Sequence, residues 1–260
     1  MSSSNTDNVQ TPTAAVLIIG NEILSGRTQD VNLNAIAIKL AEIGVRLSEA
    51  RVVPDIQEEI VNAVNTLRQR YTYVLTTGGI GPTHDDITAD SIGAAFGLAV
   101  AENPAARDRL LRSYGAENLT PARLRMARTP VGAELIDNPV SAAPGFCVEN
   151  VYVMAGVPNI MRAMLDNVVA GLKHGPKIHS VSVSGFVAES LVAAALEDIA
   201  RRYGMLDIGS YPWVRSARHG TALVSRGTDQ DALRKASAEI LALMQQFDAQ
   251  ASINEASFPL

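Results

Sequence analysis

The chain has one cysteine, Cys147, among its 260 residues. A lone thiol forms no internal disulfide and builds no thiolate zinc site by itself, so both frameworks are excluded. It reads as a buried, inert thiol, the common state of a free cysteine. Aromatic residues are scarce at 5%, which leaves the core to aliphatic side chains. No apolar run approaches the roughly 20 residues of a membrane helix. The opening, Met1 to Pro12, has neither a basic flank nor an apolar centre, unlike a signal peptide. These absences predict a soluble, cytoplasmic protein with no membrane partner. Basic excess is missing as well: the net charge is −5 and the pI about 5.4. A nucleic-acid partner calls for a basic face, so none is expected. A nucleotide is still compatible, because glycine loops and helix N-termini hold phosphates without net basicity.

What is present centres on Val74 to Thr88. The stretch begins as a β-branched, apolar run suited to a buried strand. It then breaks into Gly78-Gly79-Ile80-Gly81-Pro82. Glycine permits positive φ and close approach to a ligand, and consecutive backbone N–H groups in such a turn form an anion-holding concavity. Asp85 and Asp86 follow at once. Two carboxylates beside a phosphate repel it unless a divalent cation lies between them. The pattern predicts a site for a phosphorylated ligand assisted by a metal. A plain strand–helix turn with an acidic helix start fits a bare Gly-Gly-x-Gly equally well.

Along the chain, residues 1–12 read as a disordered tail rich in Ser, Asn and Thr. Ala14 to Ile19 is a buried strand ending at Gly20-Asn21-Glu22. A helix from Val31 to Ile43 carries Leu33, Ile36 and Leu40 at helical spacing. A strand over Leu47 to Val53 breaks at Pro54-Asp55. Asp55 and Glu58 resemble a variant capping box opening the next helix. The third strand, Tyr73 to Thr76, leads into the glycine loop. Strand–helix–strand–helix–strand predicts a parallel sheet with right-handed crossovers. Ligands of such sheets sit outside the carboxyl ends of the strands. Glu22, Asp55, Asp85 and Asp86 all follow strands directly and are expected to converge on that rim.

Further helices are expected over Ala89–Phe96, capped by Thr83 or Thr88, and over Pro104–Tyr114 and Pro121–Arg128. Arg107, Arg109, Arg112, Arg123, Arg125 and Arg128 read as a solvated face from which one or two could reach a phosphate. Val151 to Met154 is another strand, followed by Ala155-Gly156-Val157-Pro158 and a helix with proline in its first turn. After a linker near 171–176 the pattern becomes β-α-β-β-α over 177–247. Its two middle strands, Leu206–Tyr211 and Thr221–Ser225, are joined by a loop containing Pro212 and Trp213, and its last helix is capped by Asp229. That order suits a small α+β domain with an antiparallel sheet. Residues 248–260 read as a loose tail. The fold class is α/β, a doubly wound, mostly parallel sheet over 13–170 followed by that smaller domain.

Several motifs carry a resemblance. Gly20-Asn21-Glu22-Ile23-Leu24-Ser25-Gly26-Arg27, Asp30-Val31-Asn32, Val53-Pro54-Asp55 and Thr76 through Thr88 stand in order. Asn138-Pro139-Val140, Ala143-Pro144-Gly145 and Ala155-Gly156-Val157-Pro158 follow. Together they resemble the molybdopterin-binding domain superfamily, more closely its CinA N-terminal domain branch and the related domain of eukaryotic FAD synthases. Ile208 to Pro212 resembles the second part of the same domains. The resemblance implies a small-molecule partner, either a nucleotide diphosphate or a pterin, and a homo-oligomer. It also implies divalent-metal-dependent cleavage of ADP-ribose or FAD, with Mg²⁺, Mn²⁺ or Co²⁺, or else binding of molybdopterin without chemistry. The amidase domain of longer CinA proteins lies beyond this sequence, so deamidation is not expected.

On that basis, Gly78, Gly79 and Gly81 are expected to hold one phosphate, with Gly20, Asn21, Thr77, Pro82, Thr83, Asn138, Gly145 and Gly156 around the ligand. Glu22, Asp85 and Asp86 are the expected metal ligands. Asp86 heads the Asp-x-Thr signature completed by Thr88, and Asp55 is expected to orient or deprotonate the attacking water. Gly20-Asn21-Glu22 after the first strand, in place of Gly-x-Gly-x-x-Gly, argues against a nicotinamide dehydrogenase.

Overall fold

The computed structural model describes residues 11–215 and 217–254. Most of the expected 1–12 tail, and the end of the expected 248–260 tail, lie outside them. The chain divides into two compact units, 1–175 and 176–260.

In the first unit, β1 (Thr13–Ile19), α1 (Asn21–Leu24), α2 (Asn32–Glu42), β2 (Arg46–Val53), α3 (Gln57–Arg70), β3 (Tyr73–Thr77) and α4 (Thr88–Phe96) follow one another. An excursion comes next: β4 (Val100–Glu102), α5 (Pro104–Tyr114), α6 (Pro121–Arg125) and β5 (Arg128–Pro130). β6 (Glu134–Ile136), β7 (Gly145–Val148), β8 (Val151–Met154) and α7 (Pro158–Gly171) complete the unit. The main sheet has the order β2-β1-β3-β8-β7-β6. β2, β1, β3 and β8 run parallel, and β7 and β6 are antiparallel additions.

β1 is apolar at every inner position because both its faces are covered. Ala14, Val16 and Ile18 pack with Ile36 and Leu40 of α2 and Met161 and Met164 of α7. Ala15, Leu17 and Ile19 pack with Ile60 and Val64 of α3 and Ile92 of α4. A strand buried on both faces reads as a continuous apolar run, and Ala14 to Ile19 does so. The same packing fixes the site. The helix after β1 lies on one face, and the helix after β3 lies on the other. The chain therefore parts between two adjacent parallel strands, at their carboxyl ends, which is where open α/β sheets form a crevice.

Three local expectations change in this unit. The segment expected to be helical to Arg128 ends at Arg125, and Arg128 lies in β5, paired antiparallel with β4. The capping box does not form: Ile56 occupies the cap position of α3 with no side-chain cap, because the Asp55 carboxylate is turned to a neighbouring loop. Neither Thr83 nor Thr88 caps α4, whose cap position is Ile87. Thr88 instead donates its hydroxyl to the Gly78 carbonyl at 3.0 Å.

The second unit comprises β9 (His179–Gly185), α8 (Glu189–Arg202), β10 (Asp207–Arg215), β11 (Arg218–Gly227), α9 (Gln230–Gln245) and β12 (Ser252–Asn254). Its sheet order is β10-β11-β9-β12. Val183, Leu223, Val192, Leu196, Ile240 and Met244 form its core. Pro212 and Trp213, expected in a loop, belong to β10. Proline is tolerated there because β10 is an edge strand, where one side needs no ladder donor. Part of the expected loose tail is β12, antiparallel to β9. Asp229 caps α9 as expected, accepting from the N–H groups of Asp231 and Ala232 at 3.0 Å each.

Candidate functional site

The crevice is built from glycine backbone first. Gly78 has φ +103° and Gly79 φ +67°, conformations other residues adopt only with strain. A side chain at Gly78 would strike the Ile19 carbonyl oxygen, and one at Gly79 the Thr88 hydroxyl. The ends of β1 and β3 thus touch through Gly78. The β8–α7 junction joins them, since a Cβ on Gly156 would stand 3.2 Å from the Gly78 Cα. Gly78 also donates its N–H to the Met154 carbonyl at 3.2 Å. Three strand ends therefore meet at a floor without side chains.

The acidic residues take separate positions around this floor. Asp55 Oδ2 accepts the N–H of Asn21 at 2.8 Å, tying the end of β2 to the start of α1. Glu22 folds back against Gly20, its carboxylate oxygens 2.5 and 2.6 Å from where a Cβ there would lie. Asp86 Oδ2 accepts from the Thr83 N–H at 2.8 Å and from the Thr83 hydroxyl. It also lies against Gly81, 2.7 Å from that residue's would-be Cβ. Asp85 and Asp86 both stay in the loop, outside α4. The Asp85 carboxyl is held below its ordinary range, first by the Thr83 hydroxyl, for which it competes with the better-placed Asp86, and then by its own backbone, with smaller pulls from His84 and Arg125. It therefore stays an anion at neutral pH.

The expected metal-ligand set of Glu22, Asp85 and Asp86 does not come together. Among the described residues, no three His, Cys, Asp or Glu side chains come together in a group able to hold a metal ion. A cation here would need ligand oxygens to complete its shell. Mg²⁺ commonly binds in that way, through one or two carboxylates plus substrate phosphates. The adjacent pair Asp85 and Asp86 would take that role, and Glu22 lies folded against Gly20 much as Asp86 lies against Gly81.

Other expected ligand residues are engaged within the fold. Asn138 is fully engaged: its Nδ2 donates to Ser141 Oγ and the Ala143 carbonyl at 2.7 Å each. Its Oδ1 accepts from the N–H groups of Val140 and Ser141 at 3.1 and 3.0 Å. It shapes the loop before β7. Gly145 is buried where a Cβ would meet the Val153 carbonyl of the neighbouring strand. The Thr77 side chain is buried within the sheet. Gly20, Asn21, Pro82, Thr83 and Gly156 do lie at the crevice loops.

Two residues at the site had no role assigned from sequence. Asn32, 4% exposed, donates Nδ2 to the Gly156 carbonyl at 2.7 Å, while its Oδ1 is buried without a partner. A buried polar side chain opening a helix, within Asp30-Val31-Asn32, was the available signal. Arg125 lines a narrow cleft that adjoins the crevice on the Gly79–Asp86 side of the glycine loop, together with Gly79, Gly81, Asp86, Arg128 and Pro144. Six arginines in one stretch hid which of them faced it.

Cys147 is half-buried. Burial pushes its thiol up to about 11, with the Glu134 charge adding to the effect. The expected full burial is not met, and desolvation of the half-buried thiol disfavours the thiolate. No helix among the described residues is long and apolar enough to cross a membrane.

Residues 15–174 match the family described as "Probable molybdopterin binding domain". Residues 177–252 match the family described as the FAD synthase middle domain. A protein of Archaeoglobus fulgidus is 33% identical over 224 residues, spanning 85% of this chain and 93% of its own length. A CinA-like protein of Citrifermentans bemidjiense is 40% identical over 163 residues, 60% of this chain but only 39% of that longer protein. The solved structure of the protein CinA from Thermoplasma acidophilum aligns with a TM-score of 0.58 and 34% identity, covering 62% of this chain and 97% of that one. The two family matches meet between residues 174 and 177, where the chain divides into its two units. The chain belongs to the molybdopterin-binding domain family, in its CinA-like branch, and its residues 177–252 are similar to the FAD synthase middle domain.

Proposed function

We propose that the crevice binds the diphosphate of an adenosine-linked nucleotide, of the ADP-ribose or FAD type, and hydrolyses it. The observation that supports this reading is the floor of Gly78, Gly79 and Gly156 at the switch between β1 and β3. Side-chain-free backbone lets a phosphate approach closely, and since the Gly78 N–H is committed to the Met154 carbonyl, the amides of Gly79 and Gly81 are the donors that would meet it. Asp85 and Asp86 would hold the divalent cation implied by the family resemblance. Bound there, the cation would supply Lewis-acid polarisation of the phosphorus centre and lower the pKa of a water.

The chain's own residues do the rest. The loop amides fix one phosphate and orient the scissile bond. Asp55 is held in place by Asn21 through Oδ2, and no donor among the described residues reaches its Oδ1. That oxygen takes the proton as water attacks. A new P–O bond forms from water, the bond to the bridging oxygen breaks, and AMP leaves with the second phosphate ester.

The absence of a three-acid group among the described residues favours a second reading, in which the crevice binds a pterin or nucleotide without chemistry. One assay separates the two. Purified protein is incubated with ADP-ribose, FAD and NAD, with Mg²⁺, Mn²⁺ or Co²⁺ and with chelator, and AMP release is followed. Metal-dependent AMP that falls at least about a hundredfold in Asp86→Asn and Asp55→Asn supports hydrolysis. No release from any of the three, with binding by calorimetry intact, establishes the binding module instead. The family resemblance also implies a homo-oligomer, which light scattering of the eluting peak measures.

A further inference from the structure

We propose that Arg125 is the anion anchor of the crevice, holding the second phosphate of a diphosphate and setting a preference for diphosphates over monophosphates. This rests on the nucleotide reading above.

Two arginines line the cleft beside Gly79, Gly81 and Asp86. They are not equivalent. Arg128 is neutralised by Asp90 in a bidentate pair, with Nη1 to Oδ2 at 3.0 Å and Nη2 to Oδ1 at 2.7 Å. Arg125 is half-buried, yet among the described residues no carboxylate lies within ion-pair distance of it and no acceptor meets its guanidinium. A partly desolvated guanidinium with five N–H donors and no acceptor is a site prepared for an oxyanion. Its planar fork matches two oxygens of one phosphate.

Charge balance points the same way. Asp85 and Asp86 stand beside the glycine loop and repel a diphosphate. Arg125 lines the same cleft as Asp86, where its charge offsets that repulsion. A monophosphate seated on the loop amides has no second group to offer it. The neighbouring Arg123 is committed elsewhere, donating to the Asn118 carbonyl at 2.6 Å and stacking on Tyr114 at 4.2 Å. The excursion from β4 to β5 thus delivers one uncommitted cation to the cleft.

The test is calorimetric binding of ADP-ribose, ADP and AMP to the full chain. The variants are Arg125→Ala, Arg125→Gln and Arg125→Lys, with the exposed Arg112→Ala as a charge control and thermal unfolding recorded for each. Arg125→Ala and Arg125→Gln are expected to weaken ADP-ribose and ADP about tenfold to a hundredfold, the range for losing charge-assisted hydrogen bonds, while AMP changes less than about threefold. Arg125→Lys restores part of the loss, because the charge returns without the fork. Equal weakening of AMP and ADP, or no weakening of either in folded variants, overturns the assignment while leaving the nucleotide reading intact. Wild-type protein that binds none of the three ligands overturns both.

Discussion

At the scale of single residues, the crevice depends on positions that admit no side chain. Gly78→Ala would place a methyl group on the Ile19 carbonyl at a φ of +103°. Strain and overpacking together should cost about 2–4 kcal/mol. Chemical denaturation should show that loss, with ligand binding abolished because the floor moves. Cys147 supplies a pH prediction. Its folded pKa is raised to about 11 from an ordinary value of 9.0, so the folded state retains the proton longer than the unfolded chain. Any stabilisation from this group is fully present below pH 9 and is lost as the pH rises from 9 to 11. At pH 8 the thiolate fraction is about a hundredfold below that of an unperturbed thiol, and alkylation followed by mass spectrometry should be correspondingly slow. Rapid labelling of the folded protein at pH 8 would contradict the desolvated environment.

At the scale of elements, helix starts are held in different ways within each unit: Asn103, Thr120 and Asp229 cap α5, α6 and α9, while α3, α4 and α8 have no side-chain cap. α9 begins with a side-chain cap, since Asp229 accepts two backbone N–H groups. Asp229→Ala should therefore destabilise the second unit by about 1 kcal/mol, read from its denaturation midpoint. α3 and α4 have no side-chain cap, although Asp55, Thr83 and Thr88 stand close to their starts. These side chains bind neighbouring loops, and the two helices are held by burial of Ile60, Val64, Leu67 and Ile92. Local sequence could not reveal this choice. A capping residue has two sets of donors in reach, its own helix start and whatever the fold brings beside it. At the crevice the second set prevails.

At the scale of the whole molecule, the chain comprises two units with separate cores. The crevice lies entirely within the first. A nucleotide present at a hundred times its dissociation constant should stabilise the unit that binds it by about 2.7 kcal/mol. Hydrogen exchange with and without ADP-ribose should show added protection in β1, β3 and β8 and none in α9. Protection of α9 equal to that of β3 would mean that the second unit shares the site.

The amino-acid sequence by itself determined what depends on neighbours along the chain. The buried run Ala14 to Ile19, the helical spacing of Leu33, Ile36 and Leu40, the glycine loop after β3 and the Asp229 cap were all legible, because period and turn chemistry are local. The rim was legible as well, since a parallel sheet sends every strand's carboxyl end the same way. Only the tertiary structure decided where the polar groups went. It turned Asp55 to Asn21, closed Asn138 on its own loop, buried Thr77 and folded Glu22 back on Gly20, so that the carboxylates share a rim without forming a cage. It placed Pro212 on an edge where the missing N–H costs nothing, and it selected Arg125 from six similar arginines. Hydrogen bonds act over a few ångströms in space, so partners far apart in sequence, such as Asp55 and Asn21, are set only once the chain has folded.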